Sequence, residues 1–189
     1  METFLRLKHW QIFLIIIGIP ILIEILDSII VVSDVGELFT FRAILRFLLI
    51  IPFLTFYFWL YSVGYLLNKK IETELETKSR YFALSVWTSA FSAFFLTIYV
   101  FFMWDDWERY MIDNTATYVL FGIIVFLAIS TLFLALSYVA KTLVRAERRA
   151  HVNSSEFYGE FIMMLFFPIG IWILQPRINA LQEKTDHGN

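Results

Sequence analysis

Two long apolar runs, 10–32 and 41–67, joined by a short polar loop, limit what this chain can become more than any other stretch, because both contain charge. As a helix, Trp10 to Val32 rises about 34 Å at ~1.5 Å per residue, enough to cross a hydrocarbon core of about 30 Å. The pair therefore reads as a transmembrane hairpin, with Glu24 and Asp27 in the first span and Arg46 in the second. An ionisable group at that depth is costly unless it is partnered. Asp27 lies five residues before the end of the first span, and Arg46 five residues after the start of the second. At ~1.5 Å per residue both sit about 7.5 Å below one boundary on antiparallel neighbours, so they are natural partners. Glu24 shares the helix face of Asp27 about one turn deeper, which leaves one base opposite two acids. Glu24, Asp27 and Arg46 are thus the candidate intramembrane charge cluster, serving either as a clamp or as a proton or cation site.

Composition agrees with a bilayer. The chain is 59% hydrophobic and 17% charged, with a mean hydropathy of +0.70, whereas soluble domains hold roughly 45–50% apolar and about 25% charged residues. There is no cysteine, which removes disulfides, thiolate metal sites and a cysteine nucleophile together. A net charge of −2 gives no basic field for nucleic acid, so the bilayer is the expected partner and nucleic acid is not.

The 189 residues read as one integral membrane domain, an all-α multi-pass helical bundle with principal spans 10–32, 41–67, 81–104 and 117–140. Arg6 and Lys8 precede the first run, which continues to Val32 without a small-residue cleavage site and so reads as a retained signal anchor. Pro20 should kink it. Tyr57, Tyr61 and Tyr65 line one face of the second span, an aromatic stripe suited to a neighbouring helix or the interface. In the third span, Ser85, Ser89, Ala93 and Thr97 recur every four residues and form a small-residue face for close helix contact, within the chain, with another membrane protein or in a homo-oligomer. Ala128, Thr131 and Ala135 form a second such surface in the fourth span. The connector 68–80 and the acidic loop 105–116, with Asp105 and Asp106, read as solvated charge.

Orientation follows from Lys and Arg. Arg6, Lys8, Lys69, Lys70, Lys78, Arg80, Lys141, Arg145, Arg148 and Arg149 fall on one side, and only Arg42 and Arg109 on the other. This positive-inside asymmetry places the N-terminus in the cytoplasm, in a bacterial inner (plasma) membrane. Lys141, Arg145, Arg148 and Arg149 form a candidate lipid-facing basic loop, where each base adds about 1 kcal/mol of attraction to anionic lipid.

A last apolar segment, 157–174, follows Asn153 to Glu156, which fits a helix N-cap with the glutamate reaching back. Past Glu160 it covers only about 21 Å at ~1.5 Å per residue, and Pro168 and Gly170 interrupt it. It reads as a broken, re-entrant or short fifth helix, with Glu160 and Arg177 as its candidate charged residues. Phe167-Pro168-Ile169-Gly170-Ile171-Trp172, followed by Gln175-Pro176-Arg177-Ile178-Asn179, resembles the C-terminal ending of a family of small, uncharacterised bacterial multi-pass membrane proteins. The likeness covers roughly the last quarter of the chain and implies no activity.

HExxH, GxSxG, P-loop and GxGxxG motifs are all missing, and His9, His151 and His187 are scattered, so neither a cofactor nor a histidine metal site is expected. Three classes of function follow, in this order: an accessory or structural subunit of a membrane complex, a transporter or channel component using Glu24 and Asp27, and a lipid-handling enzyme or binder.

Overall fold

The computed structural model describes residues 6–32, 44–69, 79–103, 115–148, 152–153 and 156–186. The loop 33–40, most of the connector 68–80, the acidic loop with Asp105 and Asp106, and Arg149 lie outside the described residues. The molecule is an all-α multi-pass bundle. Four helical stretches are long and apolar enough to cross a membrane: His9–Ile30, Ile44–Lys69, Arg80–Tyr99 and Ala116–Arg148.

The first span is three consecutive pieces, α1 (His9–Phe13), a π-helical turn (Leu14–Gly18) and α2 (Ile19–Val32). Pro20 accounts for the middle piece. Its ring crowds the carbonyl four residues back and it donates no N–H, and a widened turn just before it relieves both problems. Residues 44–47 form a helical turn that leads into α3 (Ile50–Lys69), and α4 (Ser79–Met103) returns alongside. Tyr57 and Tyr61 turn toward α4: Tyr57 is buried, and Tyr61 stacks on Phe82 and on the exposed Tyr65 of its own helix. The contact is close at Gly64, where an added Cβ would stand 2.3 Å from the Phe82 ring.

α5 (Thr115–Arg148) continues well past residue 140, where the basic residues suggest a loop. Leu143 is fully buried and Val144 nearly so, and no proline or glycine interrupts 141–148, so burial of an apolar stripe carries the helix onward. Lys141, Arg145 and Arg148 therefore stand on a helix rather than a loop.

Two shorter helices close the fold, α6 (Tyr158–Leu165) and α7 (Phe167–Asp186). The helix breaks at Phe166, whose ψ of 54° leaves the helical region, and Pro168 sits in the first turn of α7, where its missing N–H is harmless. Phe167 at the tip meets Phe56 and Trp59 edge-on, with centroids 5.4 and 5.1 Å apart, midway along the second span. At eight residues, about 12 Å by the ~1.5 Å rise, α6 is too short to cross. The segment is thus a re-entrant hairpin that dips to mid-bundle and returns. Gly170 lets the two arms touch, for a Cβ there would lie 1.8 Å from the Met163 carbonyl oxygen.

The core lies at the basic end of the bundle, which holds the start of α1, the ends of α3 and α5, and the hairpin. Trp59, Leu60, Val63, Phe82, Val139 and Ile171 meet there. Toward the other end the helices separate, and α4 and α5 leave an apolar cleft of about 440 Å³ between Phe95, Tyr99, Leu120 and Phe121.

Candidate functional site

The charges of the opening hairpin separate into a pair and a single acid. Arg46 donates to Asp27 at 3.3 Å, joining α2 to the start of the second span. Glu24, at the same helix's outward side, is exposed and belongs to no ion pair among the described residues. Its backbone carbonyl accepts from the Ser28 hydroxyl at 2.8 Å. Arg46→Ala removes this contact from Asp27, and the variant should lose about 1–3 kcal/mol, the range for losing a hydrogen bond to a charged group. Adding Asp27→Asn should restore part of the loss, because a partly buried carboxylate that has lost this counter-ion is worse than a neutral amide. Thermal unfolding of both variants in mild detergent measures this, and purely additive losses would exclude the pairing.

A second charge cluster forms where the hairpin meets the end of α5. Arg177 donates through Nε to Glu147 at 2.8 Å and through its terminal nitrogen to the other Glu147 oxygen, and also to Glu160 at 2.8 Å. The planar guanidinium thus binds Glu147 with both forks and ties α5, α6 and α7 at one point. Hydrogen bonding to Glu147 is the main influence raising its pKa, opposed by burial and assisted by Glu160. Glu160 and Arg177 stand out in the sequence as charges within an apolar segment, whereas Glu147 does not. Its one signal is that of a lone acid among Arg145, Arg148 and Arg149.

A third cluster is neutral. Trp59 N–H donates to Gln175 Oε1 at 2.9 Å, and Gln175 Nε2 donates to the Leu7 carbonyl and to Asn179 Oδ1, both at 3.0 Å. Asn179 Nδ2 also reaches Leu7, at 3.2 Å. Gln175 and Asn179 stand one turn apart on a single face of α7, so both aim at the segment before α1. Trp59 and Gln175 are fully buried, which makes each bond costly to lose. Gln175→Leu should cost about 1–3 kcal/mol by leaving the Trp59 N–H unsatisfied, and should speed tryptic cleavage at Lys8. Unchanged cleavage would show that Gln175 does not hold the N-terminal segment.

The small-residue face of α4 is half used inside the chain. Ser89 is fully buried, donates to the Ala128 carbonyl of α5 at 3.1 Å and lies 3.0 Å from the Tyr57 hydroxyl, so it links three helices. Ser85 is buried, Ala93 half-buried and Thr97 exposed. Ala128 and Ala135 complete the contact from α5, both buried.

The basic candidates do not form one lipid-facing set. Arg145 is buried against the apolar stripe that extends α5, Lys141 is half-buried, and Arg148 is exposed and lies 3.6 Å from Glu156. Glu156 also accepts the Asn153 N–H at 2.9 Å, so the glutamate does reach back, just ahead of α6. Among the described residues no three His, Asp or Glu side chains converge for a metal ion.

No family model, curated protein or solved structure matches the chain. Function must therefore be inferred from this geometry. Within it, the run from Phe167 to Asn179 supplies the hairpin tip, the Gly170 contact, and three of the polar side chains that tie the helices together.

Proposed function

We propose that this protein is a structural or accessory subunit of a membrane complex, lying in a bacterial plasma membrane with its N-terminus in the cytoplasm. The observation that carries the reading is the use made of its buried and partly buried polar side chains. Asp27 with Arg46, Tyr57 with Ser89, Trp59 with Gln175, and Arg177 with Glu147 and Glu160 each join different helices. Such bonds hold a bundle in one arrangement, and transport calls for polar groups that face a path or change partners. The basic end of the bundle, rich in Lys and Arg, supports the cytoplasmic assignment.

Purification of the full chain in mild detergent tests this. A membrane protein should co-elute at fixed stoichiometry through gel filtration and reciprocal pull-down, and liposomes holding the purified chain should keep a proton gradient. A solitary protein that dissipates the gradient would overturn the reading. It would favour the second one, a proton- or cation-handling role for Glu24 and Asp27, to which the exposed carboxyl of Glu24 lends support.

A further inference from the structure

The outer seam between α3 and α4 presents aromatic rings that end on two bases. Along α4, Arg80, Leu84, Trp87 and Phe91 recur at i, i+4, i+7 and i+11, and all four are exposed, so one helix face runs from a guanidinium down through apolar side chains. On α3, Tyr61, Tyr65 and Lys69 follow one another at intervals of four, with Tyr65 and Lys69 exposed. The rings form one patch across both helices. Trp87 lies 6.0 Å from Tyr61, 6.5 Å from Phe58 and 6.3 Å from Phe91 between ring centroids, and Tyr61 stacks on Tyr65 at 5.8 Å. A shallow apolar crevice between Leu54 and Ala90 carries the patch toward mid-bundle.

The two bases stand at one end of this patch. Gly64 touches the Phe82 ring, which sets those residues at one level on antiparallel neighbours. Lys69 and Arg80 therefore lie about 7.5 and 3 Å beyond that level at ~1.5 Å per residue, within reach of a common group by their flexible side chains. Neither has an ion pair among the described residues, and Glu147, Glu156 and Glu160 at the same end of the bundle are engaged by Arg177 and Arg148. Tyr65 and Tyr61 lie one and two turns below Lys69, and their hydroxyls bond to no described residue.

We propose that this seam binds an anionic glycerophospholipid of the leaflet at the basic end. Its phosphate sits between Lys69 and Arg80, its ester oxygens lie level with the phenols of Tyr65 and Tyr61, and an acyl chain runs along Trp87 and Phe91. Hydrocarbon alone would account for the rings and not for two cations above them. A soluble anion would account for the cations and not for the rings, and an apolar partner helix would leave the charge uncompensated. A lipid carries the negative group and the chain at the spacing the membrane boundary imposes, where amphipathic rings and bases gather. The proposal is independent of whether the bundle belongs to an assembly.

Trp87 reports on the site directly. The full chain is placed in phosphatidylcholine vesicles doped with phosphatidylglycerol brominated on its chains, and the Trp87 signal is taken as the difference between the parent and Trp87→Phe. Quenching should set in at a mole fraction several-fold lower than with brominated phosphatidylcholine, roughly fivefold for each base engaged. Lys69→Gln with Arg80→Gln should bring the two lipids level. Lys8→Gln with Arg148→Gln removes as much charge from exposed positions at the same end and should leave the preference intact, as should the charge-conserving pair Lys69→Arg with Arg80→Lys, which controls for folding. Absence of a preference in the parent overturns the proposal, and so does an equal loss in both charge-removed pairs, which would reduce it to the general surface field. Displacement by excess inorganic phosphate would assign the bases to a soluble anion, and a Trp87 shielded from both brominated lipids would assign the seam to another protein; either result overturns it as well.

Discussion

Gly170→Ala is expected to force apart the two arms of the re-entrant hairpin. The added methyl would fall 1.8 Å from a backbone oxygen of Met163, and a carbonyl within a helix cannot swing aside as a side-chain tip can. The loss should exceed the ~1–3 kcal/mol typical of overpacking, because relief requires α6 and α7 to separate along their length. Separation would also withdraw Phe167 from Phe56 and Trp59. Gly122→Ala and Gly159→Ala supply the contrast, since a Cβ at either position meets nothing within 4 Å. At Gly122, inside α5, alanine should stabilise by about 0.5–1 kcal/mol. Thermal unfolding in one detergent compares the three variants, and a Gly170→Ala protein as stable as the parent would mean that the arms do not touch there.

Arg177→Ala should be nearly as damaging, for it leaves Glu147 and Glu160 with no shared cation. Removing one member of a buried ionic cluster costs about 3–5 kcal/mol; here the three side chains retain 15–30% exposure, so about 2–3 kcal/mol is expected. Arg177→Lys should recover only part, because an ammonium cannot bind both oxygens of Glu147 in one plane. Adding Glu160→Gln to Arg177→Ala should restore part of the loss, whereas Glu160→Gln alone in the parent should destabilise. A cation whose folded pKa is raised gives its full stabilisation below the unfolded value and loses it only above the folded one. Titration to about pH 10 should therefore leave this cluster intact. Equal stability of Arg177→Ala and the parent would show the contact to be superficial.

The two charge clusters also show which parts of the structure a sequence discloses. Asp27 and Arg46 are equidistant from the loop between two antiparallel spans, so counting residues places them at one depth. The four spans are legible in local apolar runs for the same reason, since each is decided within its own 20 or so residues. Glu147 is hidden, because its partner lies 30 residues on and its neighbours are basic. The length of α5 is misread wherever charge is taken to end the span. Leu143 and Val144, buried by the hairpin and its neighbours, override the polarity of the basic residues on either side of them. For 157–174, helix breakers alone leave three geometries open. What selects the re-entrant one is the match of Phe167 to a site on α3 and of Gly170 to Met163, neither of which has a periodic signature.

The bonds from Gln175 and Asn179 to Leu7 span 168 and 172 positions of sequence. The side chains that grip the residue before α1 are therefore made long after α1 itself. Until then α1 lacks this tether, and closing so long a loop is entropically slow. The order of docking should accordingly differ from the order of synthesis: α1 is made before the other helices described and is the last of them to be fastened.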